Sequence, residues 1–289
     1  MIQNIRQIKR KIRSVNNIKK ITRAMEMVSA AKLRKVQDKL YAIRPYADKM
    51  KTLLGDLTEN VKDLNYPLFA PRETVKKQIF IAISSDKGLC GSFNANIYRL
   101  TQRFLAENHN TSLITIGKKI TDYSAKQEST ILARYTYLPV SISFNEIRQM
   151  INPVVEAFES GKVDKVSILY TEFVNAVKYI PKIYPFLPIQ QAEKKGPSKE
   201  TKSGYGYIYE PGPDVILGKL IPRYVETAFY RILLESMSSE HAARMAAMRN
   251  ATDSAQELID TLTLVYNKAR QATITRELID IVGGAEALK

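Results

Sequence analysis

Apolar residues recur along the first sixty positions at gaps of three and four. Ile5, Ile8, Ile12 and Val15 form one run, and Ile18, Ile21, Met25 and Val28 a second. After a slip, Leu33, Val36, Leu40, Ile43, Ala47, Met50, Leu54, Leu57 and Val61 alternate the two gaps throughout. Such alternation averages about 3.5 residues, nearly one helical turn, so the side chains line a narrow stripe suited to a coiled coil. Pro45 lacks an N–H and predicts a kink near Arg44 rather than a stop, because the register continues past it. At about 1.5 Å per residue, residues 2–60 predict a rod of about 88 Å.

The last seventy residues repeat the pattern at Met248, Ala251, Ala255, Leu258, Leu262, Val265, Ala269 and Ala272. Pro213 is placed to open this helix and Gly283–Gly284 to stop it, while Pro222 delays its regular part. Ala242, Ala243, Ala246 and Ala247 leave room for another backbone to approach. Neither stripe can be buried alone. The simplest partner for each is the other, antiparallel, since the chain must leave and return through its middle.

That middle changes period. Short β-rich runs at Gln78–Ile83, Ser112–Ile116, Ile131–Leu138 and Lys165–Val174 alternate with helical stretches at Asn94–Asn108, Lys118–Gln127 and Asn145–Ser160. Strand–helix alternation at this spacing predicts βαβ units and a mainly parallel, Rossmann-like sheet. Pro153 sits inside the third helix, and Gly161 follows it as a stop. Residues 194–206, KKGPSKETKSGYG, predict a mobile loop. The expected organisation is therefore an α/β domain at 75–190 between terminal coiled-coil helices at 1–62 and 213–289, with a loop-and-foot segment at 191–212.

Composition adds a charge argument. The 289 residues hold 44 Lys plus Arg against 29 Asp plus Glu, a formal net charge of +15. Fifteen of the cations and five of the acids fall in residues 1–60, a local excess of ten. This basic helix is either a solvated face or a rod surrounded by acidic partner loops or phosphates. Nucleic-acid binding usually adds aromatic stacking platforms, and the helix offers only Tyr41 and Tyr46. The single cysteine, Cys90, cannot form an internal disulfide, which suits a reducing compartment. No apolar run is long enough to span a bilayer, and the basic start has no continuous apolar stretch of a secretory signal, so a soluble chain is expected.

Catalytic motifs are mostly missing. Gly212 and Gly218–Lys219 are one residue too far apart for a P-loop, and Leu220 stands where Ser or Thr is required. Gly204 and Gly206 would need a third glycine at position 209, which is Tyr209, so the dinucleotide fingerprint fails. His109 and His241 have no paired ligand spacing, and no metal or other cofactor is expected. The most distinctive loop, Ser84–Asn94 (SSDKGLCGSFN), lies between a strand and a helix. It admits two readings: an anion cradle with a reactive Cys90, or a tight turn around a buried thiol.

Three stretches carry a family resemblance: ITRAMEMV at 21–28 running into AKLR at 31–34, SDKGLCG at 85–91, and SEHAARMAAMRNATDSAQELIDTLTLVYNKARQATITRELIDIVGG at 239–284. With them the chain resembles the gamma subunits of F-type ATP synthases over its whole length. The resemblance implies a non-catalytic central rotor stalk. Its coiled coil would enter a ring of three alpha and three beta subunits, beside an epsilon subunit, with its foot on the membrane c-ring that proton flow turns. It implies a peripheral position on the cytoplasmic face of a bacterial inner membrane.

By motif, Met25 matches a position facing the beta-subunit lever, and Arg244 a shaft position linked to coupling. Arg270, Gln271 and Thr275 match positions that hydrogen-bond a beta-subunit catch loop, and Tyr207, Tyr209 and Glu210 the foot on the membrane ring. Plastid members carry a regulatory cysteine pair; with Cys90 alone, neither that switch nor a disulfide-linked partner is expected. The competing expectation is a stand-alone basic coiled coil binding nucleic acid or anionic membrane, and a Rossmann-like enzyme rests on fold analogy alone.

Overall fold

The computed structural model describes residues 5–60, 66–70, 72, 74–190 and 212–286. Ten elements follow in order: α1 (Ile5–Asn60), β1 (Gln78–Ile83), α2 (Phe93–Glu107), β2 (Thr111–Ile116), α3 (Lys118–Lys126), β3 (Ile131–Tyr135), α4 (Phe144–Glu159), β4 (Lys165–Phe173), β5 (Tyr179–Leu187) and α5 (Pro213–Glu286). They divide into two compact units, Ala31–Ala243 and Met1–Ala30 with Arg244–Lys289.

In the 31–243 unit a five-stranded sheet runs β3-β2-β1-β4-β5. The first four strands are mutually parallel, joined through α2, α3 and α4, and β5 is antiparallel to β4. Every residue of β1 is buried, as expected for a central parallel strand covered on both faces. Phe80, Ala82, Leu113 and Leu169 from the sheet pack with Ile97 of α2 and Ile120 of α3. A capping box starts α4: Glu146 N donates to Ser143 Oγ at 3.3 Å, and Ser143 N donates to Glu146 Oε2 at 2.7 Å. Gly161, at φ +71°, follows its end.

The second half of α1 and the first half of α5 pair antiparallel within this unit. Arg231 Nη1 meets Asp48 Oδ1 at 2.8 Å, and four residues on, Glu235 Oε1 lies 3.9 Å from Arg44 Nη2. Arg148 on α4 meets the buried Glu226 of α5 at 2.8 Å, and Phe186 of β5 meets the ring of Phe229 edge-on.

β5 was not expected, because Pro181 and Pro185 lie within it. An edge strand tolerates proline where the missing N–H would face away from its neighbour. β3 ends at Tyr135, short of the expected Leu138, because the chain turns through Tyr137 at φ +58°. α5 begins at Pro213 and runs through Pro222 as well as Gly283 and Gly284, neither of which stops it. Pro45 likewise lies within an uninterrupted α1.

The apolar stripes need correction in phase. Along α1 the covered positions are Ile8, Ile12, Val15, Lys19, Thr22, Glu26, Ser29, Leu33, Val36 and Leu40, continuing to Ala47, Met50, Leu54 and Leu57. These keep the three-four alternation with no slip; Ile18, Ile21 and Val28 point outward. Along α5 the covered series is Met248, Thr252, Ala255, Ile259, Leu262, Tyr266, Ala269 and Thr273. It shares every second position with the expected stripe and moves the others by one residue. Burial between paired helices outranked hydrophobicity: a polar side chain at the seam stays there because its neighbours in register are covered.

Candidate partner-contact surface

In the unit formed by 1–30 and 244–289, α1 and α5 meet through a polar layer. Thr22 Oγ1 and Thr252 Oγ1 lie 2.8 Å apart, and Lys19 Nζ donates to Gln256 Oε1. Higher numbers on one helix meet lower numbers on the other, so this pair too is antiparallel. Each threonine also has a carbonyl on its own helix, Lys19 O at 3.1 Å for Thr22 and Met248 O at 2.9 Å for Thr252. Ser29 Oγ donates to Met25 O at 2.7 Å. All the hydroxyls are satisfied, so the layer can be dry without a desolvation penalty.

The consequence appears on the outer surface. With Thr22 and Ser29 inside, Ile18, Ile21, Met27 and Val28 are 50%, 59%, 60% and 56% exposed. Beside them Arg23, Glu26 and Met27 form an open recess of about 410 Å³ with Arg249, Thr252 and Asp253. Toward the start of α1, Arg6, Lys9, Arg10, Arg13 and Lys20 line one exposed groove, and the first acid of the chain is Glu26. An exposed apolar band flanked by cations is the kind of surface that marks a site of interaction, since alone it gains nothing from water.

Of the residues singled out by motif, those described are spread along the two helices and not gathered into one site. Met25 is half-buried next to the threonine layer, and Arg244 is buried. Arg270, Gln271 and Thr275 are exposed on α5. Eighteen residues separate Thr252 from Arg270, about 27 Å along the helix. Further on, Leu278, Ile279, Ile281 and Val282 are exposed on several sides of the helix. Tyr207, Tyr209, Glu210 and the 194–206 loop lie outside the described residues. Sequence reasoning missed Thr22, Ser29 and Thr252 because it followed hydrophobicity. Extending the unbroken Leu33–Leu57 alternation backward would have found 29, 26, 22 and 19.

The loop after β1 is a sealed turn. Cys90 is buried against Phe93 and Ala243, and Asn94 Nδ2 donates to its Sγ at 3.2 Å. Ser85 Oγ lies 2.7 Å from Lys87 O and 2.9 Å from Asn94 Oδ1. Asp86 Oδ1 accepts from Lys118 N at 2.9 Å and Tyr137 N at 3.0 Å, so the chain's own carboxylate occupies the N-terminus of α3. Gly117, at φ +100°, fits against Ser84, whose carbonyl oxygen would lie 2.3 Å from an added Cβ. Where a doubly wound sheet ordinarily holds a ligand, this one holds its own side chains.

The ATP synthase family model matches residues 4–288. The chain belongs to the ATP synthase gamma-chain family. It is 44% identical to the ATP synthase gamma chain of Symbiobacterium thermophilum over the whole of both chains. With that of Heliobacterium modesticaldum it shares 43% identity, covering 98% of this chain and 99% of the relative. Its fold is similar to a chain of the Euglena gracilis mitochondrial ATP synthase, solved as the OSCP/F1/c-ring assembly in rotational state 3. The TM-score is 0.67 at 22% identity, covering 98% of this chain and 94% of that one. A chain of the Tetrahymena thermophila mitochondrial ATP synthase central stalk and c-ring matches at TM-score 0.60 and 24% identity, covering 80% of this chain and 99% of that one. Within a gamma-chain family fold, the polar layer and the outward isoleucines are features of the terminal helix pair.

Proposed function

We propose that this chain is the rotating, non-catalytic central stalk of a bacterial ATP synthase. It couples proton flow through a membrane c-ring to ATP synthesis by turning inside a ring of alpha and beta subunits. Family membership supports the assignment, and the observation that carries the mechanism is the antiparallel helix pair whose apolar and basic side chains face outward. A shaft acts through its outside. Each angular position presents a different set of contacts to a catalytic subunit and changes the relative stability of its open and closed states, which is population shift by differential binding. Arg6, Lys9, Arg10 and Arg13 line one groove at the start of α1, and no acid precedes Glu26, so the surface is uneven in charge. That unevenness lets three equivalent sites occupy different states.

In this reading Met25 meets the beta-subunit lever, and Arg270, Gln271 and Thr275 bond a beta-subunit loop. Arg244 holds the shaft from within, and Tyr207, Tyr209 and Glu210 contact the c-ring. An epsilon subunit completes the stalk, nucleotide chemistry stays in the beta subunits, and the complex sits on the cytoplasmic face of the inner membrane. Mild extraction with a tag on this chain tests the assignment. Recovery with alpha, beta and epsilon subunits supports it; recovery with DNA or RNA alone contradicts it.

A further inference from the structure

A cavity of about 220 Å³ lies within the 31–243 unit, bounded by α1, α5 and the β4–β5 hairpin. Tyr170, Tyr184 and Tyr224 supply aromatic walls, and Ala47, Ala228 and Ile232 complete the apolar lining. A closed apolar cavity of about 150 Å³ already accommodates benzene, so this one has space for a single ring and a substituent. Burial pushes the Tyr170 and Tyr224 phenols well above the usual range, so both stay protonated at neutral pH.

Charge decides the substituent. Lys182 Nζ meets Glu172 Oε1 at 2.7 Å, and Arg231 Nε meets Glu235 Oε1 at 3.1 Å, so the two acids of the lining already have cations. Lys51, exposed on α1 at the same cavity, forms no ion pair among the described residues. The uncompensated charge is positive. Lys51, Glu172, Lys182, Thr227, Arg231 and Glu235 make the lining as polar as it is apolar, and convergent polar groups beside aromatic walls mark a small-molecule site. We propose that this cavity binds a small aromatic carboxylate, with its ring among the three tyrosines and its carboxylate on Lys51. The occupant touches both helices and the hairpin, so it stabilises their packing by mass action.

The probe is 4-fluorobenzoate, followed by its fluorine line width on the purified full-length chain at millimolar concentration. Broadening is expected, reversed by benzoate and not by acetate or benzylamine. Ala228→Phe fills the cavity and abolishes the broadening. Lys51→Met weakens 4-fluorobenzoate about fivefold, the scale of one exposed charge contact, and leaves fluorobenzene unchanged. Melting curves establish that each variant is folded, and Lys51→Met, an exposed change, decides the matter if Ala228→Phe is not. The proposal is overturned by no broadening, by equal displacement with benzylamine, by unaltered binding in a folded Ala228→Phe, or by unaltered 4-fluorobenzoate binding in Lys51→Met.

Discussion

The hydroxyl oxygens of Thr22 and Thr252 lie 2.8 Å apart, buried between α1 and α5 in a seam that is otherwise largely apolar. A polar pair at such a position specifies register at some cost in stability, because sliding either helix would leave a hydroxyl against hydrocarbon. The pair sets the phase of the unit, and that phase turns Ile18 and Ile21 outward.

A double-mutant cycle measures this contact. Thr22→Val and Thr252→Val should each cost about 1 kcal/mol, and the double variant less than their sum by about 0.5 kcal/mol or more. Denaturant unfolding of the four proteins gives the coupling. Strictly additive costs would show that each hydroxyl relies on its own helix carbonyl and not on its neighbour.

The phase itself is open to a simpler check. Ile21 is 59% exposed and Leu40 is 0% exposed, although both belong to the apolar stripe visible in the sequence. Ile21→Ala should change stability by about 0.5 kcal/mol or less, and Leu40→Ala should cost about 2–5 kcal/mol. Comparable losses would return Ile21 to the seam.

The contrast marks what could be read from residues alone. The α/β alternation was legible because each central strand is buried on both faces, so its apolar run is continuous and its ends are sharp. The terminal helices were legible from period, and their antiparallel pairing from a chain that must leave and return through its middle. The details were not. In the N-terminal half of α1, apolar residues occupy both the seam and the outer face, so hydrophobicity cannot locate the seam; only register extended from Leu33–Leu57 can. β5 was concealed by Pro181 and Pro185, which an edge position tolerates. The Ser84–Asn94 loop admitted two readings; Cys90 is buried with Asn94 Nδ2 on its Sγ, which favours the tight turn around a buried thiol, and Asp86 ties that turn to the start of α3, a relation between residues 32 apart that no local motif encodes.

Gly117 carries a sharp steric prediction. At φ +100°, with Ser84 O 2.3 Å from an added Cβ, Gly117→Ala strains the backbone and forces β1 and β2 apart at their ends. The expected loss exceeds about 2 kcal/mol, read as a lower melting temperature of the full chain. Gly88→Ala, where the nearest atom is the end of the Lys119 side chain at 3.9 Å, is the control and should melt near the parent.

Acid stability should depend on two carboxylates. Amide hydrogen bonds from Lys77 and Lys76 hold Asp164 below the usual carboxylate range, and those from Ser143 N and its hydroxyl do the same for Glu146. A carboxyl with a depressed folded pKa contributes stability that is complete above its unfolded value, about 4, and is lost as pH falls through the folded value. The Asp164→Asn/Glu146→Gln variant should therefore melt below the parent at neutral pH, with the gap closing as pH drops below about 4. Melting temperatures across pH 2–7 check it. A constant gap would mean the two carboxylates do not carry the acid limb.

Rotation of the chain inside its partners is the most direct test of the central claim. With the alpha–beta head fixed to a surface and a bead on this chain, addition of ATP should drive stepwise turning in one direction, three steps to the turn. Sustained ATP hydrolysis under a stationary bead would contradict the account.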